Sequence, residues 1–303
     1  MSAQRPAAAA ELRLIALPDF PLVKHGDDLA ALTLASLQRA GLRLQPDDVV
    51  VLAQKIVSKA EGRGVDLATV TPSARALELA QTVQKDARLV ELVLREARRV
   101  VRAGKDVLIV EHRRGYIMAN AGIDQSNIAH AESVTGIEGA AGCDGVADRD
   151  GGAGEQGAAG TAGGQALLLP EDPDASAARL SARLGELAGG EAPGVIISDS
   201  FGRPWRLGTV GVAIGCAGLA PLLDLRGQRD LVGRALRVTV VGHADEIAAA
   251  ASLVMGQADE GRPVVLVRGL AALRGAAARA ASGIERHGPA AALIRPAGED
   301  LFR

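Results

Sequence analysis

Short aliphatic, β-branched runs punctuate the chain, and between them hydrophobic positions recur at helical spacing. Val49–Ala53 and residues 107–110, 195–197, 236–241 and 264–267 are each bounded by turn residues and short enough for buried strands. Residues 27–40 carry apolar side chains at Leu29, Leu32, Leu34 and Leu37 and read as a helical stretch. Thr71 as cap and Pro72 in the first turn open a predicted helix over 73–83. Residues 86–99 align Leu89, Val90, Val93, Leu94 and Ala97 in one stripe, and 245–255 form a helix after the strand 236–241. Some strands are joined by tight turns such as Arg113-Arg114-Gly115 and others by helices. The pattern predicts a mixed α/β or α+β enzyme core and not a clean doubly wound sheet.

Two stretches break the order. Residues 135–165 are packed with Gly and Ala and nearly empty of large apolar side chains. Burial there cannot offset ordering entropy, so a dispensable surface insertion is expected. From Gly275 onward an Ala/Arg-rich stretch leads into a C-terminal tail, and no chemistry is assigned to either segment.

Composition narrows the function. Of the 303 residues 48% are hydrophobic and 23% charged, enough for a proper core. The aromatic residues are only Phe20, Tyr116, Phe201, Trp205 and Phe302, and the net charge is −2. Stacking platforms and a basic face are both missing, which argues against nucleic acid as partner. Cys143 and Cys216 have no CxxC spacing, so neither a disulfide scaffold nor a structural zinc site is expected. Residues 208–223 lie in the longest uncharged run, short of the roughly 20 apolar residues a membrane helix needs and rich in glycine. It reads as buried strand and turn. With Glu11 interrupting the N-terminal alanines and no signal-peptide pattern, a cytoplasmic, membrane-free protein is expected.

Lysine is scarce, yet Lys55 and Lys59 sit four apart in Gln54-Lys55-Ile56-Val57-Ser58-Lys59. A lysine ammonium is a compact point charge suited to phosphate oxygens. There is no P-loop, GxGxxG, HExxH or GxSxG. The histidines, among them His25, His112 and His130, form no ligand spacing and read as solvated loop residues. In Val195-Ile196-Ile197-Ser198-Asp199-Ser200-Phe201-Gly202, an apolar strand delivers a carboxylate and a hydroxyl into a glycine turn. Ligands favour such strand ends, and this oxygen pair suits Mg²⁺ or Mn²⁺ beside phosphates. A helix N-cap explains the same residues equally well. Asp124 and Asn127, three apart on a loop, fit metal and phosphate contact, with Asx-turns as the plainer account. Residues 253–261 open a helix end into a polar loop, where Gly256 suits a C-cap.

Taken in order, Phe20-Pro21-Leu22-Val23-Lys24-His25-Gly26-Asp27-Asp28-Leu29 and the segments 54–62, 120–127, 168–176, 198–208, 230–234, 244–248 and 253–256 resemble the coenzyme F-420 γ-glutamyl ligases over residues 14–270. The resemblance implies a two-lobed ligase fold of the α+β class with mixed sheets and no P-loop. The catalytic unit would span 10–275, flanked by tails at 1–9 and 276–303. It implies a GTP-dependent ligase joining L-glutamate to the lactyl carboxylate of coenzyme F-420-0 through an acyl phosphate, with further γ-linked glutamates possible. It also implies two divalent cations (Mn²⁺ or Mg²⁺), K⁺ and a homodimer. Carried over residue by residue, the metal ligands are Asp124, Asp199, Ser200 and Gln257. Ser200 stands where the family often has Thr, and Gln257 where it can have a carboxylate. Nucleotide contacts fall on Phe20, Pro21, Leu22, Val23, Gln54, Lys55, Lys59 and Asn127. They continue through Leu253, Val254, Met255, Gly256, Gln257, Ala258, Asp259 and Glu260. Lys59, compensating phosphate charge, and Asp199 are the implied catalytic residues. The insertion departs from compact members, and the reductase domain carried by many actinobacterial relatives does not follow. The chain is therefore not expected to reduce a dehydro precursor, and F-420-0 or its dehydro form remains the acceptor. A metal-dependent hydrolase or kinase acting on another carboxylate, and a nucleotide-binding regulator, are the competing readings.

Overall fold

The computed structural model describes residues 11–125, 164–270 and 288–300. Asn127, His130, Cys143 and nearly all of the insertion lie outside them. The fold is α+β. A five-stranded mixed sheet runs in the order β1 (Arg13–Ala16), β12 (Val264–Arg268), β2 (Val49–Ala53), β8 (Gly194–Arg203) and β9 (Arg206–Ala217). Only β2 and β8 are parallel neighbours; the other pairings are antiparallel.

Both faces of this sheet are covered, so its central strands read as unbroken apolar runs. Val50, Leu52, Val195, Ile197 and Leu266 face one core with α1 (Leu29–Arg39), α2 (Gln54–Ala60) and α5 (Pro173–Ala188). Val49, Val51, Ile196, Val265 and Val267 face the other, covered by α6 (His243–Met255). Each such side chain, taken fully out of water, contributes about 1.5–3 kcal/mol. Asp28 caps α1, accepting from the amides of Ala30 and Ala31 at 3.1 Å each. Those N–H groups, with the Arg183 guanidinium, hold its carboxyl below the usual range.

A separate core gathers α3 (Ala74–Val83), α4 (Ala87–Glu96) and a three-stranded antiparallel sheet of β4 (Ala97–Gly104), β5 (Val107–His112) and β6 (Ile117–Ala119). It is tied back to α2 through β3 (Gly64–Asp66), which pairs with β7 (Gln165–Leu167). Gln165, placed in the insertion by composition, is therefore strand.

Several expectations need correction. The cap of α3 is Ser73 and not Thr71; its hydroxyl accepts from the Ala76 amide at 3.2 Å. The helical stripe of 86–99 stops at Glu96, because Ala97 already starts β4. Of the apolar run 236–241 only β11 (Val240–Val241) is strand, paired with β10 (Leu223–Asp224) in a two-stranded arm. Val238 is 85% exposed there, so the run has no second layer to bury it. His112 and His243 are buried, not solvated. His112 Nδ1 accepts from the Arg114 amide at 3.0 Å, and its ring leans on Tyr116. Part of the C-terminal segment also packs: Ala290 is buried, its amide held by Asp174 at 2.6 Å.

Two glycines of β9 let helices approach the sheet. A Cβ on Gly211 would lie 2.5 Å from the Ala248 carbonyl oxygen, and one on Gly215 only 2.3 Å from that of Pro173. Neither neighbour is a flexible side-chain tip. Gly215→Ala is therefore expected to destabilise the protein by about 1–3 kcal/mol through overpacking. In urea the midpoint should fall with an unchanged slope; an unchanged midpoint would mean that α5 slides away at no cost.

Candidate active site

The parallel pair β2 and β8 ends at Ala53 opposite Ser198. Beyond that point the chain of β2 turns at once into α2, while β8 runs on to Arg203 with only β9 beside it. The carboxyl ends of two parallel strands thus deliver Gln54 and Lys55 from one and Asp199 and Ser200 from the other, the place where open α/β sheets bind ligands. Asp199 pairs with Val212 inside β8. It neither caps a helix nor sits in a glycine turn, so both of those sequence expectations are corrected. Strand β8 persists because β9 supplies its ladder as far as Arg203 opposite Arg206.

Asp124 reaches the same place from the other core. Its backbone exchanges two hydrogen bonds with Leu167, at 3.0 and 2.8 Å. The residues before it, Asn120, Ala121 and Gly122, all have left-handed φ, of 49°, 54° and 70°. For Ala121 that conformation is strained, and its complete burial holds it there. Lys85 donates to the Asn120 side-chain oxygen at 3.1 Å. The result is that Asp124 Oδ2 meets Lys55 Nζ at 2.7 Å, with both side chains about one-quarter exposed.

These groups share one electrostatic environment. Burial pushes the Asp199 carboxyl up to about 7; the nearby Asp124 charge adds to the rise, while the Ser200 amide and Lys55 oppose it. Burial and the neighbouring Lys55 ammonium hold Lys59 below the usual lysine range, with Asp124 opposing. On the other side of β8, Ser200 Oγ donates to Gln257 Oε1 at 2.7 Å. Gln257 follows Gly256, whose φ of 78° ends α6. Glu260 closes the loop by accepting from the Ala258 amide at 2.8 Å.

The other proposed contacts are placed unequally. Phe20 packs against the main core and Val23 is buried in it, whereas Leu22 between them is 87% exposed. Gln54 is buried, and its side-chain oxygen accepts from Ser58 at 2.9 Å. Leu253, Val254 and Met255, expected in a loop, instead form the last turn of α6: Leu253 is exposed, Val254 is packed against a core and Met255 is buried. A cavity of about 300 Å³ lies on the opposite flank of α2, lined by Asp28, Val57, Glu61, Ser176, Arg179 and Arg183. Its charges are paired with one another, Arg179 with Glu61 at 2.8 Å and Arg183 with Asp28 at 3.2 Å, so it does not belong to the cluster.

Among the described residues no three His, Cys, Asp or Glu side chains gather as metal ligands. The candidate set instead combines two carboxylates (Asp124, Asp199), a hydroxyl (Ser200) and an amide oxygen (Gln257). All are hard oxygen donors, the kind Mg²⁺ and Mn²⁺ accept alongside phosphate oxygens and water. A carboxyl raised by burial and by a second carboxylate is one that a divalent cation would relieve. The residues present therefore fit such an ion.

What sequence reasoning missed is the support. Tyr116, Asp174 and Asp245 all bond to the backbone of β9, and Arg63 Nε donates to the Leu169 carbonyl at 2.9 Å. The only available signal was the position of Asp174 and Asp245 in the first turns of helices.

The raised Asp199 carboxyl gives a signed prediction for the metal-free protein. An unfolded Asp titrates near 4. Between about pH 4 and 7 the folded state then keeps a proton that the unfolded state has lost, so this group's contribution to stability falls as pH rises. Asp199→Asn removes that dependence. Its melting temperature, relative to wild type, should climb from pH 4 to 7 and level off above; a difference that stays flat over this window would show that the carboxyl is not perturbed.

Residues 19–136 and 145–269 match the sequence pattern of the F420-0:Gamma-glutamyl ligase family. The chain is 42% identical over 292 residues to the coenzyme F420:L-glutamate ligase of Methanothermobacter thermautotrophicus, covering 96% of this chain and 99% of that protein. It is 42% identical to that of Methanopyrus kandleri, covering 96% and 98%, and 40% identical to that of Archaeoglobus fulgidus, covering 82% and 84%. No helix among the described residues is long and apolar enough to cross a membrane. With the match spanning both cores and every segment that reaches the cluster, the chain belongs to the F420-0:gamma-glutamyl ligase family.

Proposed function

We propose that this protein joins L-glutamate to the lactyl carboxylate of coenzyme F-420-0, or of its dehydro form, at the expense of GTP, and that it can add further γ-linked glutamates. The observation that carries this reading is the gathering of Lys55, Lys59, Asp124, Asp199 and the Ser200–Gln257 pair at the carboxyl ends of β2 and β8. Amide formation from a carboxylate needs activation, and activation here brings one anion against another. The cluster supplies two ammonium groups and two carboxylates in one place, which suits the approach of a nucleotide triphosphate and an acid substrate.

The reaction is written as two displacements. A lactyl carboxylate oxygen attacks the γ-phosphorus of GTP, the bond to the bridging oxygen breaks, and GDP leaves with the electron pair. The glutamate amine, freed of its ammonium proton, then attacks the acyl carbon; the C–N bond forms, the acyl C–O bond breaks with its electron pair going to inorganic phosphate, and the nitrogen's second proton goes to the departing phosphate. Lys59 stands against the transferring phosphoryl group, and its lowered pKa reflects a site where charge is poorly solvated and Coulombic contacts count for more. Lys55 holds Asp124 in place. Asp124, Asp199, Ser200 and Gln257 would hold the divalent cations, which supply charge neutralisation between the two anions. K⁺ would assist. Phe20, Pro21, Leu22 and Val23, with Asn127 and the segment from Leu253 to Glu260 that ends α6 and leaves it, would recognise the nucleotide, and the active form is a homodimer.

Purified protein given F-420-0, GTP, Mn²⁺ and L-glutamate should yield a product heavier by one or more glutamyl units, with GDP and phosphate released only when glutamate is present. Glutamate-independent phosphate release would favour a hydrolase. Asp199→Asn should lower kcat by about 10²–10³-fold, the usual loss of one well-placed electrostatic contact. Turnover at the wild-type rate with unaltered Mn²⁺ dependence would remove Asp199 from the site.

A further inference from the structure

Strand β9 carries one residue more than β8 can pair. Ile197 lies opposite Gly215, but the next residue, Ser198, lies opposite Ala213, leaving Ile214 as a bulge. A bulge twists and bends its strand pair and re-aims the side chains that follow, and such bulges concentrate beside active sites. This one falls immediately before Asp199, whose partner is Val212.

Three side chains from three different elements bond to the backbone of β9 at the bulge or within two residues of it. The Tyr116 hydroxyl, from the segment leading into β6, donates to the Ile214 carbonyl at 2.6 Å. The Ala213 amide donates to Asp245 Oδ1 at 2.9 Å, and the Cys216 amide to Asp174 Oδ1 at 2.9 Å. Asp245 and Asp174 lie in the first turns of α6 and α5, where the helix N-terminus favours a carboxylate. The two acids serve the outer edge of the sheet, which has no further strand to bond it among the described residues. Tyr116 differs from them. It is buried, it spans 98 positions in sequence, and its ring edge meets Phe201, two residues beyond Asp199, at a centroid distance of 6.2 Å and 82°. Its own carbonyl accepts from the His112 amide at 2.8 Å, fixing it to the β5–β6 hairpin. Beyond β6 the same chain turns directly into the left-handed run before Asp124.

From this geometry we infer that Tyr116 is a positioning residue for ligation: through the Ile214 carbonyl it sets the bulge that aims Asp199, and through its hairpin it fixes the distance of Asp199 from Asp124. The hydroxyl touches no reacting atom. Its work is to join the element that carries one acid to the strand that carries the other. The inference rests on the proposed role of Asp124 and Asp199 in holding a divalent cation.

Tyr116→Phe removes one oxygen and keeps the ring against Phe201. Mn²⁺ binding, read from the electron paramagnetic resonance signal of the free ion, should weaken by about 10-fold, within the 10–100-fold range seen when a group orienting a metal ligand is lost. At fixed Mn²⁺ kcat should fall by a comparable factor, while the KM for GTP stays at the wild-type value. Asp245→Ala reads the same bulge from the other side, and the double variant should be little worse than either single change because both act on one local geometry. Tyr116→Phe protein that melts lower but binds Mn²⁺ as tightly as wild type would overturn the inference, as would fully additive losses in the double variant. Wild-type protein that binds Mn²⁺ but makes no glutamylated product would instead overturn the proposed reaction, and the binding comparison would still decide the role of Tyr116.

Discussion

Holding the half-buried Asp199 carboxyl beside a second carboxylate costs free energy, and much of the local architecture answers that cost. A buried carboxyl facing another charge of the same sign drives a fold apart unless the backbone on both sides is fixed. The two acids arrive on different cores, Asp124 from the small one and Asp199 from the main sheet. Lys55 at 2.7 Å from Asp124 offsets part of the repulsion, and it projects from a helix that starts where β2 stops. The junction is therefore stabilised by an ion pair that also belongs to the candidate cluster, so in the proposed reading stability and chemistry draw on the same charges.

The parts of the molecule that the sequence made legible are those governed by a single physical rule. Val49–Ala53 and 264–267 are strands because both faces of the central sheet are buried, and an unbroken β-branched run has few other uses. The stripes of α1, α4 and α6 follow from the helical period. Where two rules applied, reading failed. Residues 236–241 have strand composition, but a two-stranded arm offers no layer for Val238 to pack on. Ala97 continues the apolar period of α4, yet the ladder to β5 takes the backbone first. Helix α5 carries few large apolar residues; Ala177, Ser181 and Gly185 line its buried side, so its periodicity is written in small residues that a hydrophobicity pattern passes over.

The same distinction runs through the candidate site. Asp124, Asp199, Ser200, Lys55 and Lys59 stood out because oxygen and ammonium groups beside apolar strands are conspicuous. The residues that position them did not. Tyr116 is an ordinary aromatic just before a short strand, and Asp174 and Asp245 resemble any acid in a helix first turn. Their roles depend on a bulge, which is a matter of register between strands that are close in sequence and of side chains far from both. The family resemblance named the reaction, yet gave no account of why the segments meet; the parallel ends of β2 and β8 give that account.

The left-handed run from Asn120 to Gly122 bears on motion. Three successive residues in a sparsely populated region, one of them an entirely buried alanine, leave that connection without slack. A connection without slack behaves as a crank: it passes rotation on instead of absorbing it. A rotation of the small core about the sheet would then turn Asp124 with it as a body, with the loop as its lever arm.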